Sequence, residues 1–263
     1  MLETDYVNDI DSASIESFQS VEYKELIDKI SRIIKLNKVS NILLWGILLI
    51  AQPGFFIFPI VGIILKVILR TKGKIDLQYI IEDGLEDEYK KKLGIWLSLN
   101  NCDSMRQIVQ EASVSNTKVN AGASRNINRK LFKFTKKTPF YISTNIEIIQ
   151  LILKKEKLIF LPDKILIIRG SKVGAINYDS IFIDIYNVRF IESERVPKDA
   201  KIIDYTWQFV NKNGTLDRRF KNNRQLPICL YSDIRITSPE GLNVEIQCSN
   251  LEIAKKFEEV IAN

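Results

Sequence analysis

The stretch Val39–Leu69 places the strongest constraint on what this chain can fold into. Its 31 residues carry one charge, Lys66, and the 23 residues from Leu43 to Leu65 carry none. A helix rises about 1.5 Å per residue, so a run of roughly 20 apolar residues is long enough to cross a bilayer. Core helices of globular proteins usually keep a polar stripe, and this stretch shows none. The sequence therefore predicts a membrane segment at 39–70.

The break at Gln52-Pro53-Gly54 leaves two forms of that segment open. Proline removes a backbone donor and clashes with the preceding helical turn, and the adjacent glycine loosens the chain further. The segment is predicted either as one kinked transmembrane helix or as a hairpin broken at 52–54 that re-enters one leaflet. Lys and Arg flank the stretch on both sides, which favours a hairpin with both ends cytoplasmic. We expect localisation at the cell membrane, with the soluble domain in the cytoplasm.

The composition excludes several kinds of chemistry. The chain of 263 residues has a net charge of +6 and contains no histidine, which excludes Ser-His-Asp and Cys-His catalysis and ordinary zinc sites. The three cysteines, Cys102, Cys229 and Cys248, are widely spaced and odd in number. This usage favours reduced core residues in a cytoplasmic domain. We expect a protein that is not an enzyme, with no catalytic residue, no metal and no cofactor.

The rest of the chain is predicted as consecutive segments. Residues 1–20 contain five acidic residues and no base, which is typical of a disordered tail. Apolar residues recur at helical spacing over 21–38, so this part is predicted to be an amphipathic helix, lying either on an anionic leaflet or against protein. Region 71–145 is predicted to be a mixed, partly helical linker, and region 146–263 a β domain that ends in a helix capped by Asn250.

The β prediction is based on short runs of β-branched residues between turn residues. Together with the helices, these strands give an α+β fold class. The predicted strands are 157–161, 165–168, 173–178, 181–186, 202–210, 228–231, 233–237 and 244–248.

A basic region precedes the β domain. Between Glu111 and Glu147 the chain has seven basic residues and no acidic one, with aromatic residues interleaved. A patch of one sign can bind the phosphates of lipid headgroups, nucleotides or nucleic acid, and nucleic acid is not the partner we expect here. The alternative is a solvated basic loop beside a negative membrane. The predicted membrane or phosphate patch consists of Arg125, Arg129, Lys130, Lys133, Lys136 and Lys137.

The densest polar cluster is the segment Asp217–Arg224. Arginine pairs bidentately with phosphate or carboxylate, and loops on rigid scaffolds often carry binding residues. The alternative is a solvated loop that follows a hairpin. The predicted ligand-binding residues are Arg218, Arg219, Lys221 and Arg224, joined by Trp207 and Lys212.

The order of these β motifs resembles a known domain type. The hairpin LIFLPDKILII, the step Tyr178–Ile181 and the final LNVEIQCSNLEIAKKF are similar to pleckstrin-homology-like (PH-like) and GRAM-type domains over about 146–262. The resemblance implies a PH-like β-barrel plugged by a C-terminal helix, and binding of lipid or protein partners without catalysis. The segment TWQFVNKNGTLDRRFKNNRQLPICLYSDI is also similar to a recurring segment of bacterial proteins that are often joined to membrane segments.

Three function hypotheses remain open from the sequence. The first is a membrane-anchored binding protein that engages anionic lipid, a protein partner or a second copy of itself. The second is a sensor-effector that binds a small anionic ligand such as a nucleotide and perturbs the membrane. The third is a histidine-free nuclease, suggested by acidic residues on a strand, although the Pro-Asp pair that would complete such a motif lies about 80 residues away. The residues considered for it are Glu240, Glu245 and Gln247, with Asp163 and Lys164.

Overall fold

The computed structural model of the protein describes residues 4–18, 22–45, 57–80 and 83–261. These residues form four α-helices and fourteen strands. The helices are α1 (Lys24–Trp45), α2 (Ile57–Thr71), α3 (Asp83–Ser98) and α4 (Leu251–Ile261). The strands are β1 (Thr4–Asp9), β2 (Ile75–Leu77), β3 (Met105–Val114), β4 (Arg125–Leu131), β5 (Lys133–Thr135), β6 (Ile142–Thr144), β7 (Ile149–Ile152), β8 (Lys157–Phe160), β9 (Lys164–Arg169), β10 (Lys172–Asn177), β11 (Phe182–Ile191), β12 (Lys201–Trp207), β13 (Gln225–Thr237) and β14 (Asn243–Cys248).

Contacts between residues divide the chain into two compact units, and each unit is assembled from separated segments. Unit 1 consists of Met1–Ala13, Lys91–Phe134 and Ser180–Asn263. Unit 2 consists of Ser14–Lys90 and Thr135–Asp179. The division therefore places residues 146–179 and 180–263 of the predicted β domain in different units.

Unit 1 is built on an antiparallel seven-stranded sheet. Its main path runs β1-β3-β14-β13-β11, with β4 paired to β3 and β12 paired to β13. The long β13 pairs along one edge with β11 and along the other with β12 and then β14. Because side chains alternate across a strand, Ile234 and Ile246 point to one face and Asp233 and Gln247 to the other. The sheet therefore has one apolar and one polar face.

Helix α4 packs against β13 and β11. The side-chain oxygen of Asn250 accepts hydrogen bonds from the backbone N–H groups of Glu252 and Ile253, which confirms the predicted helix start. Phe257 is fully buried, and its ring meets the edge of Trp96 at 4.7 Å between centroids. An apolar helix face thus covers the apolar face of the sheet.

A disulfide also belongs to unit 1. Cys102 and Cys248 are bonded, with their Cα atoms 6.5 Å apart, a separation within the usual range for disulfides. Cys229 is buried and has a free thiol. The prediction that all three cysteines are reduced is therefore wrong for two of them, because chain segments far apart in sequence bring their side chains together.

Unit 2 contains four strands of a second sheet, in the order β10-β9-β8-β7. Ile27, Ile30 and Ile34 of α1 are buried in a core that also contains side chains of β8, β9 and β10. The predicted amphipathic helix at 21–38 therefore packs against protein along its apolar stripe. Strands β2 and β6 form a separate parallel pair, and α2 packs against α1.

The prediction of a transmembrane helix within 39–70 is wrong for the part of the chain that the structure describes. There, no helix combines the length and the apolar character needed to cross a membrane. Helix α1 has 22 residues, but its first half is charged, and the apolar α2 has 15, which is about 22 Å of helix. The predicted break at 52–54 lies outside the described residues.

The predicted PH-like β-barrel is also wrong. In the described ranges both large sheets are open, since β4 pairs only with β3 and β11 only with β13 in one sheet, and β10 pairs only with β9 in the other. The α+β class and the C-terminal helix agree with the structure. The acidic segment 1–20, predicted to be disordered, differs as well: residues 4–9 form β1, because β3 offers them a free edge.

Candidate functional site

The polar face of the unit 1 sheet lines a concave cleft of about 920 Å³. We call it the sheet cleft. It is formed by residues of β3, β4, β11, β13 and β14, together with neighbouring loops. Its charged lining residues are seven basic ones, Arg106, Arg125, Arg129, Lys130, Arg189, Arg224 and Arg235, and four acidic ones, Glu111, Glu194, Asp233 and Glu245.

A buried ion pair holds one of the cleft-lining residues, Arg129, in place. The two terminal nitrogens of Arg129 donate to both carboxylate oxygens of Glu192 at 2.9 to 3.2 Å, and the side chains are 8% and 3% exposed. Arg129 also donates to Gln247 at 3.0 Å and lies 4.0 Å above the ring of Phe190. The hydroxyl of Tyr231 donates to Glu192 at 2.9 Å. Arg129 is thus held rigidly by protein groups.

A second buried cluster is centred on Asp233, which is 3% exposed. The side-chain nitrogen of Gln247 donates to one Asp233 oxygen at 2.9 Å. Tyr186 stands opposite Asp233 in the β11–β13 register, and its hydroxyl donates to Glu245 at 2.6 Å. Burial raises the pKa of Asp233 from 3.8 to about 7, even though the hydrogen bond from Gln247 lowers it. The cleft thus holds a carboxyl that is neutral in mildly acidic solution.

The remaining charged residues of the cleft differ in how they are paired. Arg106 pairs with Glu194 at 2.7 Å, and this hydrogen bond lowers the pKa of Glu194. Arg125 pairs with Glu111 at 2.6 Å. Arg235 is exposed, and within the described ranges it has no ion-pair partner. Arginine with open donors is suited to bind a carboxylate or phosphate.

Two buried polar atoms that belong to cleft-lining residues have no hydrogen-bond partner among the described residues. They are the Nε of Arg106 and the side-chain oxygen of Asn243. Nearly all buried polar groups in folded proteins are hydrogen-bonded, so such atoms call for a water or a ligand group. These two atoms offer one donor and one acceptor beside the sheet cleft.

The predicted ligand-binding loop is mostly engaged with itself. Arg219 forms a forked pair with the buried carboxylate of Asp217, at 2.6 Å for the shortest contact, and this pairing lowers the pKa of Asp217 to about 2. Asn223 donates to the backbone oxygen of Phe209, and the rings of Phe209 and Phe220 stack at 4.1 Å. These contacts hold the loop in its conformation, and the guanidinium of Arg219 is occupied by Asp217 instead of being available to a ligand.

Of the six predicted ligand-binding residues, only Arg224 lines the sheet cleft. Its Nε donates to the side-chain oxygen of Gln208 at 3.1 Å. Arg218, Lys221 and Lys212 are exposed, and Trp207 is half-buried on β12. The structure therefore does not bring the predicted set together in one site.

The predicted basic patch is also divided. Arg125, Arg129 and Lys130 lie on β4 and line the cleft, and Lys133 lies on β5. Lys136 and Lys137 belong to unit 2, where Lys136 pairs with Glu147 at 2.5 Å. Arg125 and Lys130 keep a candidate binding role, whereas Arg129 is engaged by Glu192.

The residues considered for a nuclease are likewise divided. Glu245 and Gln247 lie in the cleft region on β14, whereas Asp163 and Lys164 belong to unit 2 and pair with each other at 2.5 Å. Among the described residues, no group of three or more acidic or cysteine side chains is arranged to hold a metal ion.

Sequence reasoning missed several residues of the cleft. Asp233, Arg235, Tyr186 and Arg106 were not among the predicted site residues, and neither was Glu192, the buried partner of Arg129. A signal was present in DIRIT and VEIQC, where a polar side chain stands at every second position between apolar ones. That alternation predicts the strands, and it also marks a polar sheet face.

Comparison of the chain with protein-family models, with curated proteins and with solved structures gives no match.

Proposed function

We propose that this chain is a binding protein and not an enzyme. Its sheet cleft binds a small anionic ligand that also carries hydrogen-bonding groups, and the class of ligand we propose is a nucleotide. The observation that carries the proposal is the open guanidinium of Arg235 beside the buried Asp233–Gln247 pair. The guanidinium of Arg235 supplies positive charge for a phosphate. The Asp233–Gln247 pair supplies hydrogen-bond donors and acceptors for the polar edge of a nucleotide base.

The size and charge of the cleft support this class of ligand. A volume of about 920 Å³ lies within the range of small-molecule and cofactor pockets. The lining has three more basic than acidic residues, seven against four, so it attracts anions. The unpartnered polar atoms of Arg106 and Asn243 give further places for hydrogen bonds.

The arrangement favours binding over catalysis. The carboxylates of Glu111, Glu192 and Glu194 are each engaged by an arginine. Their oxygens already accept hydrogen bonds from these arginines, so they are occupied by protein groups. These residues therefore serve to hold the shape and charge of the cleft.

Isothermal titration with inorganic phosphate, ribose 5-phosphate and a panel of nucleoside phosphates tests the proposal. We expect nucleotides to bind more tightly than inorganic phosphate, because only they reach both the arginine and the polar ring-edge groups. Arg235→Gln should weaken binding by about tenfold or more, the usual effect of losing a charge-assisted hydrogen bond. Its exposure makes the substitution harmless to folding.

The matched control is Arg218→Gln. Arg218 is also an exposed arginine of unit 1, but it lies on the 217–224 loop and does not line the cleft. Its substitution should leave the affinity unchanged. Equal losses in both variants would point to non-specific attraction, and no heat with any nucleotide at millimolar concentration would refute the proposal.

A further inference from the structure

The pair of helices α1 and α2 in unit 2 leaves a large apolar surface exposed. Eight side chains of α2 are between 43% and 54% exposed, and Ile42 and Trp45 at the end of α1 are 69% and 71% exposed. We call these the helix-pair surface. Its α2 members are Ile57, Phe58, Ile60, Val61, Ile63, Ile64, Val67 and Ile68. A contiguous patch of this kind normally marks a contact with another apolar phase.

The two helices hold this surface in a fixed shape. The hydroxyl of Ser40 donates to the backbone oxygen of Gly62 at 2.8 Å, and a Cβ on Gly62 would lie only 3.0 Å from the Cβ of Leu43. Lys66 donates to Asn41 at 2.8 Å, so the last residues of α1 contact the first ten residues of α2. Only the side of α2 that contains Pro59, Gly62 and Leu69 is buried.

Basic residues lie at one end of the helix pair, and uncharged residues lie at the other. From Lys29 to Ile75 the sequence has no acidic residue and eight basic ones. In the described residues none of these charges lies on 39–45 or 57–65, the parts that carry most of the apolar surface. The eight bases collect at the opposite end of the pair: Lys29, Arg32, Lys35 and Lys38 on α1, and Lys66, Arg70, Lys72 and Lys74 on or after α2.

The described uncharged part of α2 is about as long as one leaflet is thick. Its nine residues on α2, 57–65, extend for about 13 Å at the rise of an α-helix. The hydrocarbon core of a membrane is about 30 Å thick, so one leaflet supplies about 15 Å. The first basic residue of α2, Lys66, would then lie at the depth of the headgroups.

We propose that the helix-pair surface docks into the facing leaflet of an anionic membrane without crossing it. The apolar side chains enter the hydrocarbon, and the basic end faces the acidic headgroups. This contact is separate from the sheet cleft and does not depend on the function proposed for it.

The charge pattern favours a membrane over a second copy of the chain. Two copies that covered each other's apolar surfaces side by side would bring together two sets of seven basic residues, since the eighth, Lys29, already pairs with Glu25 at 2.5 Å. Like charges in proximity oppose such a pairing, whereas acidic lipid headgroups neutralise them.

Flotation of the full chain with vesicles of phosphatidylcholine, with and without phosphatidylglycerol, tests the proposal. We expect strong binding only to the vesicles that contain phosphatidylglycerol. Ile60→Asp and Ile64→Asp should each lower the partition coefficient between vesicles and water at least about tenfold, because a charge would have to enter the hydrocarbon. Replacing Arg70, Lys72 and Lys74 together by Gln should lower it by about 100-fold.

A second experiment measures insertion directly. Bromine-labelled lipids should quench the fluorescence of Trp45, which is obtained as the difference between the unaltered chain and Trp45→Phe.

The matched control is Leu131→Asp, at an exposed apolar residue of β4 in unit 1 that is 79% exposed. It should bind vesicles like the unaltered chain, and circular dichroism verifies that all variants are folded. Folded protein that floats with neither vesicle, or equally with both, would overturn the proposal. So would a dimer in sedimentation that Ile64→Asp converts to monomers.

Discussion

Polar residues on one face of the unit 1 sheet differ in burial and in their contacts with other protein groups. These differences decide which residues can be substituted to test ligand binding. Arg129 and Glu192 are buried and pair with each other, so removing either would leave the other charge unpaired in the interior. Such a loss costs about 3 to 5 kcal/mol and reports on folding rather than on binding. Arg235 is exposed, and its loss reports on the cleft itself.

Asp233 makes the stability of unit 1 depend on pH. Its pKa in the folded state is about 7, raised by burial from 3.8, so the folded protein holds a proton that the unfolded chain releases at lower pH. The free energy of unfolding should therefore fall as the pH rises from about 4 to about 7 and level off above that, with a loss of up to about 4 kcal/mol. Urea denaturation at several pH values measures this.

Asp233→Asn isolates the effect of this group. The amide oxygen keeps the hydrogen bond from Gln247, and the side chain no longer ionises beside Glu245, Arg125 and Arg129, which also act on Asp233. Most of the pH slope between 4 and 7 should disappear. Asp184→Asn, at an exposed position of β11, should leave it in place. A slope that survives Asp233→Asn would show that another group causes it.

At the scale of elements, local patterns identified most strands and helices but not their pairing. The runs at 157–161, 165–168, 173–178 and 244–248 correspond closely to β8, β9, β10 and β14. Two predicted runs, 228–231 and 233–237, are one long strand, because β11 continues to pair across Ser232. A barrel forms only if the two edge strands of a sheet pair with each other, and local sequence patterns do not encode which strands pair. The prediction of a barrel was wrong for that reason.

The close approach of Phe18 to β10 gives a test of packing in unit 2. Gly174 lies under the turn Ile15–Phe18, and a Cβ at this position would stand 2.4 Å from the Cβ of Phe18. Gly174→Ala should therefore lower the free energy of unfolding by about 1 to 3 kcal/mol through overpacking. Chemical denaturation measures the change.

Gly94→Ala is the matched control for that substitution. Gly94 lies within α3, and a Cβ there would meet no atom within 4 Å. The alanine should raise stability by up to about 1 kcal/mol, since it favours the helix and restricts the unfolded chain. Destabilisation by Gly94→Ala as large as that by Gly174→Ala would rule out the contact with Phe18 as the cause.

At the scale of the whole molecule, each unit is assembled from stretches far apart along the chain. β1 pairs with β3 across about a hundred residues, and β3 in turn pairs with β14 near the C-terminus. Sequence reasoning gave consecutive domains because periodicity and turns act over a few residues. The sheet cleft shares this origin: Arg106 on β3 and Gln247 on β14 meet only when the sheet forms.

The disulfide between Cys102 and Cys248 closes a loop with a sequence separation of 146 residues, which includes the second segment of unit 2. Cross-linking so long a loop restricts the unfolded chain, so reduction should lower the free energy of unfolding by about 5 kcal/mol. Denaturation with and without dithiothreitol measures this change.

The variant Cys102→Ser/Cys248→Ser should show no response to the reductant. Cys229→Ala should respond like the unaltered chain, because the thiol of Cys229 is free. Alkylation of denatured, unreduced protein should modify one cysteine; three modified cysteines would contradict the bond.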